Sequence, residues 1–194
     1  MYAKNRQCGE CSLCCKAVAV QDLNKPAGQW CAHFSRGHGC TIYSDRPQSC
    51  RAFNCHWLLD ETMGDEWYPR QCKMVVQATE AALLVHVDPG THQPWRREPY
   101  LSKLVVLAGQ LVEQGRMVLV LEQGHSILLL PDRIVDLGIL DAQDQIGLRQ
   151  VSTANGLRWA ASMVKREGGR QWLSSPISHG KMPNEISRLP DDID

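Results

Sequence analysis

No stretch of this chain approaches the roughly 18 apolar residues that a membrane-spanning helix needs; the longest apolar runs, such as Leu104 to Ala108 and Ile127 to Leu130, are far shorter. A membrane is therefore not an expected partner. Neither sign of charge is in excess, since lysine plus arginine and aspartate plus glutamate number 21 each. That balance, with basic residues spread along the chain and no basic stripe, argues against nucleic acid as a partner. Also missing from the opening MYAKNRQCGECSLCC is the pattern of a secretory signal, a charged start followed by roughly 7 to 15 apolar residues and a small-residue cleavage site. The expected address is the reducing cytoplasm, and a disulfide-rich secreted domain ranks last among the readings. A length of 194 residues suits one main core with a modest appendage.

The first 72 residues also have few periodic apolar stretches, and they are punctuated by Gly9, Gly28, Gly37, Gly39 and Pro47. A loop-rich segment of this kind builds little core and needs a staple. Cysteine supplies one. Cys8, Cys11, Cys14, Cys15, Cys31, Cys40, Cys50 and Cys55 all precede residue 56, and only Cys72 follows. Buried structural cysteines would scatter; a metal site gathers thiolates at short spacings.

Cys8, Cys11 and Cys14 form CxxCxxC, a spacing that lets three thiolates of a tight loop face one centre. Cys15 is adjacent to Cys14, and adjacent side chains diverge by about 100° in a helix and about 180° in a strand. One of the two therefore serves elsewhere. Eight thiolates are twice the four that a tetrahedral zinc or a cubane cluster takes, so two metal centres are arithmetically open. Cys31, Cys40, Cys50 and Cys55 complete the ligand set from loops that return to the site, with the pairing of thiolate to metal undetermined. So soft a donor set selects zinc or an iron-sulfur cluster over magnesium, calcium or manganese, without separating the first two.

Four thiolates around one zinc leave a net charge of about −2, which calls for cations and hydrogen-bond donors nearby. Arg46 and Arg51, flanking Cys50 in CTIYSDRPQSCRAF, and Tyr43 are placed to supply them. His33, His38 and His56 lie among the cysteines and are expected at the surface or behind the ligands. Trp30 and Trp57 could wall off the metal or simply pack, and Cys72 is expected to be a core thiol.

From Cys72 onward the texture changes. Residues 73 to 78 and 82 to 87 read as a hairpin closed by Pro89-Gly90. Leu101, Leu104, Val105, Ala108, Leu111 and Val112 recur at helical spacing between Pro99 and Gly115. Met117 to Leu121 and Ser126 to Leu130 flank the turn residues Glu122 to His125, and Pro131 ends the second hairpin. The expected class is α+β: a cysteine-rich, metal-stapled region over 1–72 packed on a small antiparallel sheet with one main helix (β-β-α-β-β) over 73–140. Leu157, Ala160, Ala161 and Val164 fit a short helix in an appendage over 141–172, and residues 173–194 read as a flexible tail.

The run CGECSLCC from Cys8 to Cys15, then Trp30-Cys31, then CTIYSDRPQSCRAF from Cys40 to Phe53 resembles the YkgJ-like cysteine cluster family, named for its CxxCxxCC motif. The resemblance covers residues 8 to 55. It implies a zinc- or iron-chelating domain, mostly bacterial, with little assigned biochemistry. Some longer proteins with a similar cluster are flagellin lysine N-methylases, so the resemblance admits redox or methyl-transfer chemistry as the alternative to plain metal binding. This chain has no CxxxCxxC radical motif and no glycine-rich loop of the kind that binds S-adenosylmethionine, and no catalytic residue is assigned. DPGTHQPWRREPY, residues 88 to 100, looks like a feature of a proteobacterial subgroup; its Trp95, Arg96 and Arg97 form an exposed-looking patch whose expected role is a loop packing on the sheet.

Overall fold

The computed structural model describes residues 3, 5–141, 144–154, 156–167 and 170–173. Its first 72 residues are loops punctuated by single turns of helix and one minute hairpin: α1 (Cys14–Ala17), β1 (Phe34–Ser35), β2 (Gly39–Cys40), α2 (Gln48–Ala52), α3 (His56–Leu59) and α4 (Pro69–Cys72). Proline sets where two of these begin, as the residue before α2 (Pro47) and as the first residue of α4. Its fixed φ suits the first helical turn, where its missing N–H costs nothing. Gly37 and Gly39, at φ of 81° and 75°, turn the hairpin.

The central unit follows as β3 (Met74–Ala78), β4 (Ala82–Val87), α5 (Tyr100–Val112), β5 (Met117–Glu122), β6 (His125–Leu130) and β7 (Arg133–Asp136). The five strands form one sheet in chain order. The fold is α+β, but the sheet is mixed where a purely antiparallel one was expected, because β4 and β5 run parallel, with Leu84 opposite Leu119. The cause is α5: a helix between two neighbouring strands carries the chain back to the end where it started, so the next strand runs in the same direction. The strand after Pro131, β7, was not foreseen; it pairs with β6 antiparallel, Leu129 opposite Ile134.

Strand alternation divides the core between the two faces of the sheet. One face carries Met74, Val76, Val85, Val118, Val120 and Leu129 against Leu104 and Ala108 of α5. Trp57, Leu58 and Trp67 of the N-terminal region join this core. On the other face Val75 meets Leu13 and Ala17. The N-terminal region thus wraps the β3 edge and touches both faces, which covers an edge that would otherwise be open to pairing. Trp95, in the turn Pro94–Arg96, is completely buried in the main core, and only Arg96 and Arg97 of the exposed-looking patch face solvent.

The remaining area of the second face, around Leu119, Leu128 and Leu130, is covered by Ile146, Leu148, Trp159 and Ala161. These belong to a separate antiparallel sheet of β8 (Gln145–Thr153), β9 (Gly156–Glu167) and β10 (Arg170–Leu173). The helix expected over Leu157 to Val164 is therefore a strand. Those residues satisfy helical spacing, yet Trp159 and Ala161 also sit two apart, and it is this pair that packs on the sheet with Ile146 and Leu148. Tertiary burial of a strand face outweighs a short helical pattern. The expected tail over 173–194 lies outside the described residues except for Leu173, the last residue of β10.

Candidate metal centre

The turns of the N-terminal region hold the cysteines in place. The amide of Cys11 donates to the Cys8 carbonyl at 2.9 Å and that of Cys15 to Ser12 at 2.9 Å, which closes the CxxCxxCC loop and starts α1 at Cys14. Cys31 donates its amide to the Cys15 carbonyl at 3.0 Å, and Phe34, which donates to the Cys31 carbonyl at 3.0 Å, stands opposite Cys40 in the hairpin. Cys50 lies in the middle of α2 and Cys55 immediately precedes α3. All eight are half-buried free thiols. All eight also line a single cavity of about 590 Å³, although 47 positions separate the first from the last.

Burial pushes the thiols of Cys8, Cys11 and Cys50 above their ordinary range. It raises Cys55 to about 11, against the pull of the Trp57 and Leu58 amides. Cys14 and Cys15 act as a pair. The Cys14 thiol donates to the Cys15 sulfur, which holds the Cys14 proton and lowers Cys15, with Lys25 and Arg46 as cationic support. A cavity of this kind stores protons that a soft metal would displace, so affinity for such a metal rises with pH.

Of the three residues expected to support the thiolates, Tyr43 and Arg46 line the cavity. The Arg46 guanidinium lies 3.7 Å from the Tyr43 ring centroid and its Nε donates to the Tyr43 carbonyl at 2.9 Å. Arg51 acts from outside, its Nε donating to the Arg46 carbonyl at 2.7 Å and its second nitrogen to Ser44 at 3.2 Å, so it braces the loop that aims Arg46. His33 and His38 line the cavity, whereas His56 pairs with Asp60 at 3.3 Å and lines a different cavity of about 410 Å³ against α5. Trp30 stacks on Phe34 at 3.9 Å, and Trp57 is buried in the main core beneath Arg6. Cys72 is a core thiol, its Sγ–H directed at the carbonyls of Met74 (3.3 Å) and Trp67 (3.4 Å) and its pKa raised to about 12 by burial.

Two residues were not anticipated. Lys25 is buried, its Nζ donating to the carbonyls of Val18, Pro26 (3.0 Å) and Lys16 (3.3 Å), which sets an ammonium beside the thiols. Nothing in NKPAG distinguishes this lysine from a surface one. His86 of β4, in contact with Gln77 of β3 at 3.1 Å, forms part of the cavity floor, and burial lowers its pKa to about 4, so the ring is neutral. A histidine inside the apolar run LLVHV was a readable sign, because buried polar residues concentrate at functional sites.

Among the described residues no three or more histidine, cysteine, aspartate or glutamate side chains are gathered closely enough to hold a metal ion as they stand. The thiols ring the cavity without converging on a point. Their chemistry fits a soft metal all the same: eight sulfur donors free of disulfides and the Arg46 guanidinium line one space, and the Lys25 ammonium lies within electrostatic reach of it. No family model matches the chain, and no curated protein and no solved structure is found similar to it. Among the described residues no helix is long and apolar enough to cross a membrane.

Proposed function

We propose that this protein is a metal-binding protein whose N-terminal thiolates, from Cys8 to Cys55, hold zinc or an iron-sulfur cluster and thereby staple residues 1–72 to the sheet. The observation that carries the reading is the shared cavity: eight cysteines from six separate elements and loops, none in a disulfide, line one space. The resemblance of Cys8 to Phe53 to the YkgJ-like cluster supports the same reading. Such a centre belongs with a cytoplasmic, reducing setting. When bound, the metal supplies cross-linking of loops that bury little apolar surface themselves. The protein side gathers the thiols around one cavity, offsets their charge with Lys25 and Arg46, and limits water with Val18, Ile42 and Phe53. A second reading, metal-dependent redox or methyl-transfer chemistry, is favoured by the room in the cavity, which at about 590 Å³ falls in the roughly 300–1,000 Å³ range of small-molecule sites.

The test is thiol protection. In the protein as purified from cells, the eight thiols from Cys8 to Cys55 resist a thiol reagent until a chelator is added. Cys72, buried in the core, reacts only on unfolding. Eight thiols that react at once, with no effect of chelator, would rule the reading out.

A further inference from the structure

We infer that the eight thiols form two four-thiolate metal centres, an inner one of Cys8, Cys11, Cys14 and Cys55 and an outer one of Cys15, Cys31, Cys40 and Cys50. This rests on the metal-binding reading above and adds to it which thiols act together.

Packing makes the first division. Cys8 and Cys55 contact the main core, and Cys11, Cys14 and Cys55 contact the smaller cluster of Leu13, Ala17 and Val75 on the opposite face of the sheet. Cys15, Cys31, Cys40 and Cys50 touch none of the three hydrophobic clusters. Four thiols are thus seated against the hydrophobic clusters and four are held only by the loops and short elements of the N-terminal region.

Hydrogen-bond tethers make the same division independently. Ala3 donates its amide to the Leu58 carbonyl at 2.7 Å, Arg6 donates to the carbonyls of Trp57 and Asp60 at 2.7 Å each, and the Tyr68 hydroxyl donates to the Cys8 carbonyl at 3.3 Å. These bonds pin the strand of chain leading to Cys8 against α3, directly after Cys55. The outer four have their own links. Cys31 is bonded to Cys15 through the backbone, and Cys40 is reached from Cys31 through Phe34. Asp22, a few residues beyond α1, accepts from both the amide and the hydroxyl of Ser49 at 3.0 Å, which draws α2 and Cys50 toward the Cys15 side.

Cys14 and Cys15 are the hinge of the arrangement. In this structure the Cys14 thiol donates to the Cys15 sulfur. Consecutive residues of a helical turn leave the backbone about 100° apart, so when metal displaces the shared proton one sulfur can turn to each centre while the backbone between them stays common. Charge follows the same plan. The buried Lys25 ammonium lies within electrostatic reach of Cys31, Cys15, Cys14 and Cys50, so a cation of fixed position faces mostly the outer set, where a tetrathiolate zinc would carry about −2. The inner centre, sealed by the core, fastens the N-terminal region to the sheet. The outer one, held by loops and single turns outside the hydrophobic clusters, is the exchangeable or reactive metal.

Cadmium-113 is the probe, loaded alone into the full chain after removal of resident metal under reducing conditions. Two ions per chain are expected, each with the deshielded resonance of all-sulfur coordination. The Cys31→Ser/Cys50→Ser variant should keep the inner resonance unchanged and lose the outer one, and a chelator added to wild-type protein should remove the outer ion first. One ion per chain, or a variant in which both resonances shift or vanish, overturns the division and leaves metal binding intact. If the double variant fails to fold, the wild-type ion count and the order of release still decide: a single ion, or two released together, overturns it. A wild-type chain that takes up no cadmium would instead sink the metal-binding reading itself.

Discussion

Replacing all eight cysteines from Cys8 to Cys55 with serine should leave residues 8–55 without fixed structure while the five-stranded sheet stays folded. The two regions rest on different forces. The sheet and α5 enclose side chains as large as Met74, Trp95 and Leu104 at 0 % exposure, a core whose buried residues include none from 8–55. Residues 8–55 contribute only Leu13, Ala17 and Val20 to the buried apolar residues, beside the buried stem of Lys25, and their helices are four or five residues long. Isolated helices that short do not persist in water. Structural zinc in small thiolate sites supplies an apparent binding free energy of about 10–16 kcal/mol at neutral pH, and in such sites that free energy is folding free energy. Hydrogen exchange reads the outcome directly. Amides from Cys8 to Cys55 should exchange within seconds in the variant, or in wild-type protein with chelator, while those of β3 to β7 keep their protection. Protection of both regions in the octuple variant would show that the loops hold themselves.

Trp95→Ala should be the most destabilising single substitution outside the cysteines, at about 3–5 kcal/mol. The ring is completely buried. Its Nε1 donates to Glu122 Oε2 at 2.9 Å, and the other carboxylate oxygen accepts from the Gln93 amide at 2.6 Å. Glu122 is itself buried at 6 % exposure, so losing the indole both opens a cavity and strips a buried carboxylate of one partner. Trp95→Phe separates these contributions, since it keeps most of the packing and should cost about 1–3 kcal/mol for the orphaned oxygen. Urea unfolding followed by near-UV circular dichroism measures both. A cost under about 1 kcal/mol for Trp95→Ala would contradict the placement of this residue at the centre of the core.

The contrast between Trp95 and Arg96 shows where a sequence is legible and where it is not. In DPGTHQPWRREPY the tryptophan looks exposed because arginines follow it; the expected packing of this loop on the sheet holds for Trp95, whose indole packs in the main core and meets the buried carboxylate of Glu122, 27 positions away. The strands of β3 and β4 were legible because alternating apolar residues end at turn formers, and α5 because its apolar stripe spans three turns. The parallel pairing of β4 with β5 follows from the helix between them. The error over Leu157 to Val164 has a simpler origin: those four apolar residues fit a period of 3.6 and not of 2, but Trp159 and Ala161, which sit two apart, cover a neighbouring sheet face, and that burial decides for a strand. At the site, the crowding of cysteines before residue 56 was readable, and so was the nearness of Arg46 to them. Lys25 was not, because its burial depends on three carbonyls that only the folded loop brings together. Arg51 supports the site through Arg46, a role that spacing from Cys50 could not distinguish from direct contact.

The most direct measurement is the composition of the protein purified from cells without oxygen: metal, acid-labile sulfide and visible spectrum on one sample. The expected result is a soft metal in stoichiometric amount. Colourless protein with zinc would assign the thiolates to stapling the fold, and brown protein with iron and sulfide would assign them to electron transfer or to chemistry in the cavity. Protein that carries neither zinc nor iron, with its eight thiols still reduced, would contradict the central claim.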